Sequence, residues 1–119
     1  MKQYRGFAND LNVVVQSWPN NMRTLHPRYD LRNHSPDGFN WGYGGSGPAQ
    51  LALAICCDAL NDDDRAQRIY QAFKFRRVCN LPVGQDWTLT ERDVLNDVEA
   101  LEAENTRIRA AMIEAEEAG

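Results

Sequence analysis

The sequence predicts an α+β fold in which a short N-terminal antiparallel sheet packs on two central helices, followed by a long C-terminal coiled-coil helix. Three observations support this prediction. The N-terminal segments are rich in β-branched and aromatic residues, an alanine- and leucine-rich stretch follows a glycine loop, and the C-terminal segment has heptad spacing. A chain of 119 residues is long enough for one ordinary domain and too short for two.

Two short N-terminal strands account for the predicted sheet. Residues 3–7 and 12–18 contain most of the early β-branched and aromatic side chains, and residues 8–10 supply turn chemistry between them. An antiparallel hairpin is the simplest arrangement of these two segments. We also expect an edge strand over residues 25–31, because Pro27 cannot donate a ladder hydrogen bond and so limits a strand to an edge.

The next predicted element is a central helix over residues 49–60. Only Ile55 in this stretch is β-branched, and the residues are apolar nearly all round the helix. Pro48 fits the first helical position, with Ser46 or Gly47 as the cap. We therefore expect this helix to be the most buried one.

A second helix is predicted over residues 63–79. Apolar side chains recur on one face at helical spacing, at Ala66, Ile69, Tyr70 and Phe73. The other face is basic and consists of Arg65, Arg68, Lys74, Arg76 and Arg77. The sequence therefore predicts a helix with one face in the core and a basic face in solvent.

Charge divides the chain near residue 90. Residues 1–90 carry ten basic and eight acidic side chains, a net of +2, whereas residues 91–119 carry three basic and nine acidic ones, a net of −6. This asymmetry predicts a small globular α+β domain over residues 1–90 and a C-terminal dimerisation helix over residues 91–119. The acidic segment repels phosphates, so strong sequence-independent binding to DNA is not favoured.

The cysteines and histidines indicate a reduced, metal-free protein. Cys56 and Cys57 are adjacent, which is a poor geometry for a mutual disulfide, and no cysteine or histidine spacing matches a zinc site. The N-terminus lacks the apolar stretch of a secretion signal, and no apolar run is long enough for a membrane span. We expect a cytoplasmic protein with free thiols, no metal, no cofactor and no contact with a membrane.

The last helix has the pattern of a coiled coil. A capping box from Thr90 to Asp93 starts it. Alternating steps of four and three residues then define the a/d seam Val94, Val98, Leu101, Asn105, Ile108 and Met112. Asn105 is the polar residue of this seam and favours a parallel, in-register dimer. The alternative is packing of the seam on the chain's own body, but a helix of about 40 Å is longer than that body, so part of it projects. We expect a homodimer through this helix.

The most distinctive segment is the glycine loop of residues 38–48. One interpretation is a site for a nucleotide, a phosphate or a carboxylate at the N-terminus of the central helix, where free N–H groups favour an anion. Its ligand-binding residues are then Trp41, Tyr43, Gly44, Gly45, Ser46 and Gly47. The pattern matches neither the phosphate-binding loop with its lysine nor the dinucleotide fingerprint. The other interpretation is a tightly packed turn with the aromatic side chains in the core.

No catalytic site is predicted. A nucleophile at Ser46 or Ser35 would need His34 and Asp37 as partners, and these residues lie too close together in the chain with nothing to orient them. We therefore expect that the protein is not an enzyme.

The segment from Leu31 to Ile55 contains F-N-W-G-Y-G-G-S-G-P-A-Q-L-A-L-A and resembles a small family known as a domain of unknown function, found in bacteria, plasmids and phages. Tyr4-Arg-Gly-Phe, Tyr70-Gln-Ala-Phe-Lys and Trp87-Thr-Leu-Thr are similar to its flanking elements, so the resemblance covers about residues 3–92. It implies a module boundary and a setting in a mobile element, and it implies no activity.

We therefore expect a non-enzymatic homodimeric interaction protein, an accessory protein of a phage or mobile element that binds a host or phage macromolecule. Inhibitors of bacterial defence systems are one class of such proteins. The candidate residues for binding a protein partner are Arg65, Arg68, Arg76 and Arg77. Two alternatives remain open. One is a small-ligand module that uses the glycine loop, and the other is a weak DNA-binding dimer that uses the basic helix face.

Overall fold

The computed structural model describes residues 1–118, and its elements in chain order are β1 (Lys2–Gly6), β2 (Val13–Ser17), β3 (Asn21–Thr24), α1 (Ser46–Leu60), α2 (Asp63–Arg76), a 3-10 turn (Val78–Asn80), β4 (Trp87–Thr90) and α3 (Glu91–Ala118). The strands form one antiparallel sheet in the order β3-β2-β1-β4. This arrangement confirms the predicted α+β class, with an N-terminal sheet, two central helices and a long C-terminal helix.

The β1–β2 hairpin forms as predicted, with Tyr4 opposite Val15. Its turn is closed by backbone hydrogen bonds from the Phe7 N–H to the Asn12 carbonyl at 3.0 Å and from the Leu11 N–H to the Phe7 carbonyl at 2.8 Å. Residues directly opposite each other on paired strands point to the same face of the sheet. Tyr4 and Val15 are such a pair, and both are buried on the face that the helices cover.

The third strand is not where the sequence predicted it. It spans Asn21–Thr24 rather than residues 25–31, because the chain reverses directly after β2 and pairs Ser17 with Asn21. Leu25 is buried at the end of this strand. Arg28 then adopts a positive φ of 65°, which turns the chain away from the sheet.

The sequence analysis did not predict the fourth strand. β4 adds to the free edge of β1 and pairs Leu89 with Tyr4. Trp87 and Leu89 face inward and are buried. Four residues are too few for their alternation to stand out before the pairing partner is known.

The central helix α1 is buried as predicted, but it begins earlier than expected. Gly45 is the N-cap and Ser46 the first residue, so Pro48 is the third residue of the helix and not the first. Proline is tolerated there because the N–H groups of the first turn have no partner within the helix. All residues from Gly47 to Cys57 are buried.

Helix α2 ends at Arg76 and not at Cys79, because the chain tightens into the 3-10 turn. Asp62 caps its start by accepting a hydrogen bond from the Arg65 N–H at 3.0 Å. Burial confirms the predicted apolar face of Ala66, Ile69, Tyr70 and Phe73.

A single buried amide holds the irregular segment between β3 and α1. Gln50 lies on α1 and is fully buried. Its side-chain oxygen accepts a hydrogen bond from the His34 N–H at 2.8 Å, and its nitrogen donates to the carbonyls of Pro27 at 2.6 Å and Arg32 at 3.0 Å. These bonds attach the segment to the helix and satisfy backbone groups that no strand partner satisfies.

Helix α3 packs on the body at its start and projects from it at its end. The predicted capping box forms, because the Thr90 N–H donates to the Asp93 carboxylate and the Asp93 N–H donates to the Thr90 hydroxyl, each at 3.0 Å. Val94 and Val98 are fully buried in the core that α1 and α2 share. Residues 103–118 are all exposed, and this segment is about 24 Å long.

The projecting helix elongates the molecule. Its principal extents are 55 × 30 × 27 Å, and its radius of gyration is 15.6 Å. A compact chain of this length has a radius of gyration of roughly 13.5 Å. The excess matches a helix end that leaves the globular body.

Candidate functional site

The glycine loop contributes a large side chain to the core. Trp41 is buried and meets the ring of Trp87 edge to face, with centroids 5.5 Å apart. The Trp41 indole N–H donates to the Pro82 carbonyl at 3.2 Å. Tyr43 lies outside the core and is 48% exposed. The two aromatic residues therefore do not line one common cavity wall.

At two positions of this loop the neighbouring atoms leave no room for a side chain, which explains why the residue is glycine. Gly42 has a φ of +84°, and an added Cβ would collide with the side chain of Val83. Gly47 lies against Asn40, whose Cβ would be 2.7 Å from an added Cβ. Among the predicted ligand-binding residues, Gly44 and Ser46 are exposed and Gly45 is partly exposed, whereas Gly47 is buried. Ligand binding at this loop stays a prediction.

The basic residues at the end of α2 engage α3. The Arg76 Nε donates to the Asp97 carboxylate at 3.0 Å, and the Arg77 Nε donates to its second oxygen at 2.6 Å. Asp97 itself is only 4% exposed. The hydrogen bond with Asp97 raises the pKa of Arg77. These two arginines therefore neutralise a buried carboxylate of the last helix.

A second ion pair joins the same two helices nearer to the point where α3 leaves the body. Arg65 donates two hydrogen bonds to Glu102, at 2.9 Å and 2.6 Å. The hydrogen bond from Arg65 lowers the pKa of Glu102. Three of the four predicted partner-binding arginines thus hold α3 on α2. Arg68 is the fourth, and it is exposed and makes no ion pair within residues 1–118.

The predicted heptad seam divides into a covered part and an open part. Val94, Val98 and Leu101 pack on the body. Beyond them, Ile108 is 52% and Met112 63% exposed, although both continue the same seam. A shallow concavity of about 400 Å³ lies along the open part, lined by Asn105, Ile108, Arg109, Met112, Ile113 and Glu116. The open seam is therefore an apolar stripe that the single chain does not cover.

A notch opens where α3 leaves α2. It has a volume of about 430 Å³ and is lined by Arg68, Ile69, Glu102, Asn105, Thr106 and Arg109. Glu102 is held by Arg65, whereas Arg68 and Arg109 have no acidic partner within the part of the chain that the structure describes. The notch therefore joins the open seam to a site of net positive charge, in which Arg68 and Arg109 outnumber the single carboxylate Glu102.

Another cavity, of about 510 Å³, lies between the sheet and the C-terminal end of α1, and Asp58 is one of the residues that line it. The Asp58 carboxylate accepts hydrogen bonds from the Tyr4 hydroxyl at 2.8 Å, the Lys2 ammonium at 2.8 Å and the Arg23 guanidinium. Burial of Asp58 opposes ionisation, but the hydrogen bonds from Lys2, Arg23 and Tyr4 outweigh it and lower the pKa of Asp58.

Most charged side chains that line this cavity, called the polar groove below, already form ion pairs within the chain. Arg28 lines it and donates to both Asp63 oxygens, at 2.8 Å and 2.7 Å, and also to Asp30. Burial raises the pKa of the neighbouring Cys57 thiol to about 11, so this thiol is protonated near neutral pH. A ligand would have to displace ion pairs to bind here, and the groove therefore acts mainly as a joint between sheet and helix.

Sequence reasoning missed both the polar groove and the notch. Lys2, Arg23 and Asp58 are separated by tens of residues, and no local spacing links them. The notch depends on the crossing of α2 and α3, which the periodicity of each helix does not specify. The available signal was the basic face of α2 beside an acidic α3, which complement each other in charge.

His34 and the cysteines are the other side chains whose chemistry could support a reaction. The His34 ring nitrogen hydrogen-bonds the Tyr70 hydroxyl at 2.7 Å. All three cysteines are free thiols. Within residues 1–118 no group of histidine, cysteine and acidic residues could hold a metal ion, and no helix is long and apolar enough to cross a membrane.

The fold and its surfaces define a small α+β domain from which a long helix projects. The chain belongs to the Family of unknown function (DUF6166), whose model matches residues 4–100. This match includes the buried start of α3 and ends where the helix leaves the body. No curated protein and no solved structure matches the chain.

Proposed function

We propose that this protein is a non-enzymatic interaction protein that forms a homodimer through the open seam of α3, while its globular body engages another macromolecule. One observation carries the proposal. An apolar stripe with coiled-coil spacing continues past the body and is exposed at Ile108 and Met112. A soluble helix rarely presents such a stripe to water without a partner that covers it.

The projecting segment needs packing to be a stable helix. The packed start of α3 nucleates the helix, but tertiary contacts supply most helical stability in proteins, and the projecting end has none within the single chain. Covering a large apolar side chain contributes roughly 1.5–3 kcal/mol. Burial of Ile108 and Met112 in both copies would supply that packing.

A second copy of the chain is the occupant that fits this stripe best. The seam repeats at heptad spacing, and such a seam accepts side chains of the same spacing as knobs into holes. The flanking charges are also self-complementary. The first half of the projecting segment contains Arg107, Arg109 and Glu104 and is net positive, and the second half contains Glu114, Glu116 and Glu117 and is negative.

The environments of His34 and Cys57, two side chains that could act in catalysis, support a non-enzymatic role. His34 is engaged by Tyr70 at 2.7 Å, and burial raises the pKa of Cys57 to about 11, which removes the thiolate that a nucleophile requires. A macromolecular partner for the body remains a prediction, as do the setting in a phage or mobile element and a defence system as the target. Arg68 is the predicted partner-binding residue that no intramolecular ion pair occupies within residues 1–118.

The dimer is tested by light scattering over protein concentrations of roughly 1 μM to 1 mM, a range that covers binding free energies from about −8 to −4 kcal/mol. The wild type is expected to shift from one copy to two across this range. The double variant Ile108→Glu, Met112→Glu is expected to stay a single copy, because each glutamate puts a charge in the apolar seam.

The control is Ala110→Glu, which adds one such glutamate between the two positions but on the opposite side of the same helix. This variant is expected to dimerise like the wild type. A wild type that remains a single copy at the highest concentration, or a double variant that dimerises as well as the control, would contradict the proposal.

A further inference from the structure

We propose that the two copies pair antiparallel, and that the acidic C-terminal turn of each copy docks in the notch between α2 and α3 of the other. This inference rests on the proposed dimer and specifies its geometry. It departs from the parallel, in-register arrangement that the heptad pattern favoured. Three observations lead to it, namely the position of the body on the seam, the distribution of charge along α3 and the chemistry of the notch.

The body blocks a parallel, in-register pair. Val94 and Val98 belong to the same seam as Ile108 and Met112, and the chain's own body covers them completely. Paired helices have axes about 8–10 Å apart with their seams facing each other. The molecule measures 30 and 27 Å along its two shorter axes. Two bodies at the same level on facing seams would therefore occupy the same space.

The covered and open parts of the seam lie on the same side of α3. A heptad seam drifts by about 20° per heptad around a straight α-helix, so it turns about 40° between Val98 and Met112. The body therefore stays on the side where the second helix must pack. An antiparallel pair avoids the collision, because it puts the two bodies at opposite ends of the paired segments.

Charge favours the same orientation. Residues 103–110 contain Glu104, Arg107 and Arg109, a net of +1, whereas residues 111–118 contain Glu114, Glu116 and Glu117, a net of −3. A parallel pair sets the basic halves side by side and the acidic halves side by side. An antiparallel pair sets the net positive half of each copy beside the net negative half of the other, so the two halves attract overall, although Glu104 is then level with Glu116 of the second copy.

The apolar layers fix the alignment. Antiparallel coils pack an a position against a d position of the other helix, so Ile108 packs against Met112 of the second copy. The two-fold axis then crosses the seam at the level of Ala110, whose side chain points away from the contact, and Asn105 lies opposite Ala115 of the second copy. Asn105 therefore lies at the end of the contact near the notch, where water reaches it, and not in a self-paired central layer.

This alignment brings the acidic end of each copy to the notch of the other. Glu116 and Glu117 of the second copy are level with Glu104 and Ala103, beside the mouth of the notch. The notch contains Arg68 and Arg109, which form no ion pair within residues 1–118 and outnumber its single carboxylate Glu102, and its volume of about 430 Å³ admits side chains of this size. The free positive charge of the notch thereby gains a carboxylate partner.

Disulfide cross-linking tests the orientation. Cys56 and Cys57 are buried, so Cys79→Ser gives a background without a partly exposed thiol. In the antiparallel dimer, oxidation of a mixture of Ala115→Cys and Asn105→Cys proteins is expected to give the mixed cross-linked dimer. Ala115→Cys alone is not expected to cross-link, because ten residues of helix hold the two thiols about 15 Å apart, beyond disulfide reach.

The outcomes separate the orientation from the dimer itself. A dimer in which Ala115→Cys readily cross-links to itself is parallel, and it overturns this inference while the proposed function stands. A dimer without the mixed cross-link also overturns the antiparallel alignment. Only a wild type that stays a single copy in light scattering removes both proposals.

Charge reversal tests the notch. Arg68→Glu is expected to weaken the dimer by about tenfold, because two-fold symmetry repeats the loss in both notches. Combination with Glu116→Lys and Glu117→Lys is expected to recover most of this loss. Arg92→Glu makes the same charge change at the start of α3, far from the notch, and is the control. Equal effects of Arg68→Glu and Arg92→Glu, or no recovery in the combined variant, would contradict docking at the notch.

Discussion

Single side chains join parts of the chain that are far apart in sequence. Asp58 on α1 links β1 to β3 through Lys2, Tyr4 and Arg23. The carboxylate retains its charge in a partly buried site because three donors surround it, and these donors hold its pKa low. The stability of the sheet–helix joint is therefore linked to the ionisation of one residue.

Asp58→Asn is expected to lower the free energy of unfolding at neutral pH by about 2 kcal/mol, a typical value for hydrogen bonds to a charged group. The folded-state pKa of Asp58 lies below the unfolded value of about 3.9, so its contribution is fully present above that value. The contribution is lost as pH falls below about 4 and through the folded-state pKa. Urea unfolding at a series of pH values measures the difference between wild type and variant.

Asp37→Asn is the control for this experiment, because Asp37 is exposed and makes no ion pair within residues 1–118. It is expected to have almost no effect at any pH. A difference between the wild type and Asp58→Asn that persists unchanged at pH 2 would mean that Asp58 contributes through its shape and not through its charge.

At the scale of elements, the sequence predicted what depends on local pattern. The β1–β2 hairpin and the helices α1 and α2 follow from composition and periodicity, and the capping box of α3 follows from two residues, Thr90 and Asp93. The four-residue strands β3 and β4 were misplaced or missed, because each is defined by a partner strand and not by its own sequence.

The candidate surfaces were predicted only in part, for a related reason. The seam of α3 was visible as a pattern, but whether the body or another helix covers each residue depends on how far α2 extends beneath α3, and α2 begins near Glu102. The basic residues of α2 were visible as a solvent face, but Arg65, Arg76 and Arg77 face carboxylates of α3. Sequence patterns show which residues can form a contact, and the tertiary arrangement selects the partner.

The joint between α2 and α3 is expected to depend on Asp97. Asp97→Ala removes the shared acceptor of Arg76 and Arg77 and is expected to lower the free energy of unfolding by about 2–3 kcal/mol, near the low end for a broken buried pair because both arginines reach solvent. Hydrogen exchange of the α3 amides is expected to accelerate. Glu99→Ala, on an exposed position of the same helix, is the control. Equal exchange in the two variants would show that apolar packing alone holds the helix.

At the scale of the whole molecule, α3 has two roles, one in the core and one in the segment that projects into solvent. The body needs the first turns of the helix to close its core, and the remaining turns extend beyond it. The charge pattern marked a boundary near residue 90, whereas the family model continues to residue 100. Folding and assembly thus use different stretches of one continuous helix.

Two truncations separate these roles. A chain that ends at Glu102 is expected to keep the urea midpoint of the full-length protein at concentrations where the latter is a single copy, because residues 103–118 are exposed. A chain that ends at Thr90 loses Val94 and Val98, each fully buried and each contributing roughly 1.5–3 kcal/mol. It also loses Asp97, so most of a typical stability of about 5–15 kcal/mol disappears, and we expect this chain to be unfolded or marginal by circular dichroism. A stable, cooperatively folded chain ending at Thr90 would instead show that the body closes its core without α3 and that the helix is an independent module.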